Sequence, residues 1–184
     1  MSAVRRFFTV IFFLFISLSA VHCTEPDPVK ILFDFEPDSD LDRFNWECHT
    51  LFSLSDKHVT RGKKSLKLEL FPSDYPGLAP KTVANDWQSY GTFSFDVYNA
   101  QNKDISLSVR IDDNEEDYPD YPDRYNNTFH LSRGANTIAI PINGLETSGT
   151  KRKLNIKNIC RIMIFMVQPK ERVVLYFDNF RLRR

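Results

Sequence analysis

Apolar and polar residues alternate with a period of two along most of this chain. The stretches Ser65–Leu70 (SLKLEL), 92–98 (TFSFDVY) and Ile105–Asp112 (ISLSVRID) each carry an apolar side chain at every second position. That spacing belongs to a strand with one buried and one wetted face. Further strands are predicted at 31–35, Thr50–Ser55, 127–131, 136–140, 161–167 and 172–182, where β-branched and aromatic residues are bounded by Pro, Gly, Asn and Asp clusters. A helical apolar period is missing from every stretch of a dozen residues, and only a turn or two is expected around 142–145 or 154–159. Many strands without crossover helices predict an all-β fold, an antiparallel β-sandwich of jelly-roll type.

Alternation also sorts side chains by face. With Ile105, Leu107, Val109 and Ile111 inward, Ser106, Ser108, Arg110 and Asp112 share the opposite side; in the strand at 92–98 that side carries Thr92, Ser94, Asp96 and Tyr98. Such a face is either a ligand platform or the wetted side that most antiparallel sheets possess.

The first residues break the pattern. Val10 to Leu18 reads VIFFLFISL after Arg5 and Arg6, and the segment closes on Ala20, Val21, His22 and Cys23. A basic start, a short apolar run and a polar exit predict a signal peptide over 1–23. The 15 residues from Phe7 to Val21 fall short of the roughly 20 needed to span a bilayer, so membrane attachment is expected only through an uncleaved leader or a lipid anchor. Cys23 stands where a bacterial lipoprotein signal places its acylated cysteine, although His22 occupies the position of a small residue. Ordinary cleavage between Ala20 and Cys23 is the competing arrangement. A short linker at 24–30 (TEPDPVK) then leads into one domain over 31–184.

Export predicts a secreted or cell-envelope protein and an oxidising surrounding. Cys48 and Cys160 then either pair as a disulfide or remain two separate thiols. The chain carries 24 Lys+Arg against 24 Asp+Glu and 42% hydrophobic residues. Intrinsic disorder is excluded by that apolar content, and a balanced charge argues against a nucleic-acid partner.

Several strings point together to a known architecture. They are Phe33-Asp-Phe-Glu36, His58-Val-Thr-Arg-Gly62 leading into Ser65-Leu66-Lys67-Leu68, the stretch from Trp87 to Tyr98, and Tyr176-Phe-Asp178-Asn179-Phe180-Arg181-Leu182. In this order they resemble the galactose-binding-like jelly rolls, including carbohydrate-binding modules of families 4, 11 and 22 and the related complex I intermediate-associated domains. The resemblance covers residues 30–184 and implies a non-catalytic module that binds a saccharide or a glycan-bearing surface. It also implies a structural calcium held by Glu36 and Asp178, with carbonyls near Arg61 and Lys64; no organic cofactor is expected. The complex I relatives imply an alternative, a structural or assembly protein binding another polypeptide through the same face.

The most unusual segment is 110–127, RIDDNEEDYPDYPDRYNN. Sugars are bound by aromatic faces and by planar polar groups that exchange hydrogen bonds with hydroxyls. Arg110, Asp112, Asp113, Arg124, Tyr125 and Asn126 are therefore expected ligand contacts, with Tyr75 at the same rim, Trp87 either a sugar platform at that rim or a plug in the sandwich edge, and Tyr118, Tyr121 and Gln168 as lesser candidates. Trp46 reads as packing, and Glu115 to Asp117 as a solvated acidic loop. A glycoside-acting enzyme using the acidic loop is a third reading, weakened because adjacent Asp112 and Asp113 point to opposite faces of a strand and cannot form a catalytic pair. Among the other signatures, Gly62-Lys-Lys-Ser65 lacks the upstream glycine of a phosphate loop, which Lys57 replaces. His22, His49, His58 and His130 form no metal-ligand spacing, and no Gly-x-Ser-x-Gly elbow occurs. Asn126-Asn127-Thr128 fits the glycosylation acceptor pattern.

Overall fold

The computed structural model describes residues 28–113 and 120–184. Eleven strands form two antiparallel sheets. They are β1 (Val29–Phe33), β2 (Phe44–Glu47), β3 (Thr50–Ser55), β4 (Ser65–Leu70), β5 (Gly77–Pro80), β6 (Thr92–Asn99), β7 (Ile105–Asp112), β8 (Tyr125–Leu131), β9 (Gly134–Pro141), β10 (Arg161–Phe165) and β11 (Val173–Arg183). One sheet runs β3-β4-β11-β6-β9, with β1 on the second half of β11; the other runs β2-β5-β10-β7-β8. This is the all-β antiparallel sandwich expected from the alternation.

The inward positions make one core. Leu66, Leu68 and Leu70 of β4, Phe93 and Phe95 of β6, and Phe177 and Phe180 of β11 face Leu107, Val109 and Ile111 of β7 and Ile162 and Ile164 of β10, all buried. Each such side chain contributes about 1.5–3 kcal/mol on leaving water. Phe95 stacks on Phe180 at 5.0 Å, and Phe35, in the left-handed region at φ 58, turns inward and meets Phe180 edge-on at 5.8 Å.

Two strands, β2 and β5, lie outside the predicted set. Both have four residues, and β5 reads Gly-Leu-Ala-Pro with all four buried, so no alternation marks it. Gly77 is required where β5 meets β10, because a Cβ there would stand 2.1 Å from the Ile164 carbonyl oxygen and 2.7 Å from Phe165 Cα. The turn near 142–145 is a 3-10 turn at Ile142–Gly144, and 154–159 holds a turn in which Asn158 N–H donates to the Asn155 carbonyl at 2.9 Å. Among the described residues, no helix is long and apolar enough to cross a membrane.

Candidate functional site

The outer face of the second sheet is laid out by register. Glu47, Gly77, Phe165, Ser108 and Thr128 form one row across its five strands. Met163, Arg110 and Asn126 form the next, and Arg161 and Asp112 the third. Over the first two rows lies an open groove of about 740 Å³, with Phe165, Met163, Arg110 and Asn126 in its lining. Tyr75, 50% exposed, walls it from the β4–β5 connection and meets Phe165 edge-on at 5.8 Å; Tyr121, 66% exposed, stands over it from the 3-10 turn Tyr121–Asp123. A shallower recess of about 480 Å³ continues past Ser108, Thr128 and Val167 toward Lys103 and Glu171.

The groove floor carries its own electrostatics. Arg110 Nε donates to both Asp112 oxygens at 2.9 Å and its Nη2 to Oδ2 at 2.5 Å, while Arg161 Nη1 reaches the same Oδ2 at 3.2 Å. Asp112 is 1% exposed and thus anchors two guanidinium groups from beneath. Arg124 also lines the groove; burial and then the charge of Arg110 lower its pKa. Asn126 donates its main-chain N–H to Ser148 Oγ at 2.9 Å, but its side-chain Nδ2 is buried with no hydrogen-bond partner among the described residues.

Of the expected contacts, Tyr75, Arg110, Arg124 and Asn126 meet in the groove, and Asp112 supports it. The others are elsewhere. Trp87 is fully buried, stacks near Phe93 at 5.3 Å and donates its indole N–H to the Ala84 carbonyl at 2.5 Å, so it belongs to the core and not to the rim. Tyr125 pairs with inward-facing Ile111, packs on the core and has its phenol pKa raised by burial. Asp113 turns away from the groove and grips Arg152 through two bonds of 2.7 and 2.9 Å and the Asn155 N–H. Gln168 bonds to Asp74, and Trp46 stacks on Phe52 at 3.6 Å. Groove residues overlooked in the sequence are Met163, Phe165 and Thr128; the parity of β8 and β10 could have placed them outward.

No disulfide joins Cys48 to Cys160. Cys48 follows Glu47, which is in register with Gly77 and Phe165, whereas Cys160 precedes the other end of β10. The five-residue offset along β10 amounts to about 16 Å, well beyond disulfide reach. The strand at 92–98 lies in the first sheet, so its polar face does not join Arg110 and Asp112; Asp96 is covered by Thr60 and bonded to Arg181, Thr137 and Asn179. Glu36 accepts the Lys63 and Lys64 N–H groups and Asp178 those of Thr60, Arg61 and Asn179. Main-chain N–H groups thus face these two carboxylates where a calcium shell needs carbonyl oxygens, and the described residues include no group of three or more His, Cys, Asp or Glu placed to hold a metal. Cys23, Tyr118, Glu115 to Asp117 and the leader at 1–23 lie outside the described residues.

No family model matches the chain and no curated protein sequence is significantly similar to it. Among solved structures it is similar to an exo-beta-agarase (TM-score 0.65, 16% identity), covering 83% of this chain and 25% of that one. It is also similar to the family 11 carbohydrate-binding module from Clostridium thermocellum in complex with a beta-1,3-1,4-mixed-linked tetrasaccharide (TM-score 0.62, 16% identity), covering 84% of this chain and 95% of the module. A third match is the Clostridium thermocellum xylanase 10B CBM22-1–GH10 fragment complexed with xylohexaose (TM-score 0.54, 12% identity, 85% of this chain and 28% of that one). The chain spans about a quarter of the agarase chains and nearly all of the isolated module. These likenesses establish the fold: the chain has the β-sandwich architecture of carbohydrate-binding modules.

Proposed function

We propose that this chain is an exported, non-catalytic saccharide-binding module that holds carbohydrate in the groove on its second sheet. The observation that carries this reading is the groove's composition: exposed Tyr75 and Tyr121 over a floor of planar polar groups from Arg110, Arg124 and Asn126. Aromatic rings cover the apolar faces of sugar rings, and fixed planar donors select among hydroxyls. The family 11 module matched over nearly its whole length supports it, since that module is complexed with a saccharide. The absence of chemistry is supported by how the two best-placed carboxylates are used. Asp112 and Asp113 are each held in ion pairs on opposite sides of the chain, so they do not face each other across one site as a catalytic pair. Finer points are part of the proposal: galactose-binding-like ancestry, removal or acylation of the leader at Cys23, and residence in the cell envelope or outside the cell.

Retardation in native gels containing mixed-linkage β-glucan, agarose or xylan tests this reading. At least one polysaccharide should slow the protein, and Tyr121→Ala should weaken that binding about tenfold, or about 1.4 kcal/mol, without lowering the melting temperature. Mobility unchanged in every polysaccharide would remove the proposal.

A further inference from the structure

Arg110 and Asn126 are directly opposed on β7 and β8, so their Cβ atoms stand about 4.5–5.5 Å apart on one face. The Arg110 side chain is 9% exposed. Asp112 occupies its Nε and Nη2 and is itself shared with Arg161. One edge of the guanidinium is therefore fixed, while Nη1 has no acceptor among the described residues. Next to it stands the unpartnered Asn126 Nδ2. Among the described residues no hydrogen bond reaches either polar atom of the Asn126 side chain; its bonds to Ser148 use the main chain. The carboxamide torsion is soft, so a ligand can draw Nδ2 toward itself.

Nη1 and Nδ2 are both donors, one of them cationic. A sugar hydroxyl would bring its own proton into this corner, whereas a carboxylate or sulfate brings acceptors alone, and hydrogen bonds between charged partners are about twice as strong as neutral ones. Glu47, the carboxylate in the groove lining, is three strands away from β7, a distance of about 14 Å. We propose that Arg110 Nη1 and Asn126 Nδ2 form a subsite for an anionic substituent on the saccharide, a uronate carboxylate or a sulfate ester. The inference rests on the groove being a saccharide site and adds the charge class of its ligand.

Titration calorimetry of the whole chain at about 0.15 M salt, with oligogalacturonate, a sulfated galactan oligosaccharide and a neutral mixed-linkage β-glucan oligosaccharide, tests it. One anionic probe should bind at least about tenfold tighter than the neutral one, and which one identifies the substituent. Asn126→Asp places an acceptor of the protein's own beside Nη1. Anionic binding should then fall at least about tenfold and by more than neutral binding falls, and the melting temperature should hold or rise, because no side-chain bond of Asn126 is lost. Equal affinity for anionic and neutral probes, or anionic binding indifferent to Asn126→Asp, would overturn the subsite while leaving the saccharide site standing. Binding of none of the three would overturn the subsite, and together with unchanged mobility in every polysaccharide gel it would overturn both.

Discussion

Asp112 and Asp113 are chain neighbours that serve opposite purposes, and the pleat of β7 is the reason. Asp112 shares the outer face with Arg110 and sets that guanidinium in the groove; Asp113, one position on, reaches the 147–155 segment and ties it down through Arg152 and the Asn155 N–H. Burial opposes ionisation of Asp113, but the Arg152 fork and the Asn155 N–H outweigh it and hold the carboxyl below the usual aspartate range. A folded-state pKa below the unfolded one stabilises the fold in full above the ordinary value near 4 and ceases to do so as pH falls through the depressed value. Arg152 is 42% exposed, so solvent screens the pair and its worth is about 1 kcal/mol. Asp113→Asn should therefore cost about 1 kcal/mol in urea unfolding at pH 7 and progressively less as pH falls below about 4. A loss that does not change with pH would mean that shape, and not charge, is what Asp113 contributes.

At the scale of elements, the connection from β5 to β6 carries the chain from one sheet to the other, and Trp87 fastens it. Its main-chain N–H donates to the Ile156 carbonyl at 2.8 Å, its carbonyl accepts Tyr90 N–H at 3.0 Å, and its ring fills the core beside Phe93. Trp87→Ala should lower stability by about 3–5 kcal/mol, the range for a large aromatic deleted from a core, while the folded fraction keeps its affinity for saccharide. Full stability with lost binding would return the indole to the ligand. Composition and spacing say only that a tryptophan precedes a strand, which a plug and a platform satisfy equally. The strands themselves were legible where polar and apolar residues alternate over a long enough run, whether the polar row ends wet, as on β9, or sealed, as on β6; β2 and β5 have only four residues each, and β5 has no polar residue and carries Gly77 to let β10 approach. Arg110 was legible as an outward residue from that alternation, whereas Asn126 was marked only by its type and its place at a strand end. Their opposition was not legible, because register between β7 and β8 depends on the whole sheet and not on either strand.

At the scale of the molecule, the sandwich has two outer faces, and they have been put to different uses. On the first sheet the polar row of β6 is sealed: Thr60 Oγ1 donates to Asp96 at 2.9 Å, Arg181 contributes two bonds of 3.1 Å, and Thr137 and Asn179 complete the set. His58, stacked on Tyr98 at 3.5 Å, covers the next position and leaves only a recess of about 160 Å³. On the second sheet the equivalent rows remain open as the groove. Polar residues alike in the sequence therefore do structural work on one face and line an open groove on the other, and substitutions should separate accordingly. Asp96 and Arg181 are both buried, with side chains 11% and 5% exposed, so Asp96→Ala strands a buried guanidinium and should cost about 3–5 kcal/mol. Its saccharide affinity, measured well below the melting temperature, should equal that of the unaltered protein. Tyr121→Ala should do the reverse. If Asp96→Ala weakens binding as much as it weakens the fold, the two faces are coupled through the core, and the groove is not a rigid surface that the sandwich merely supports.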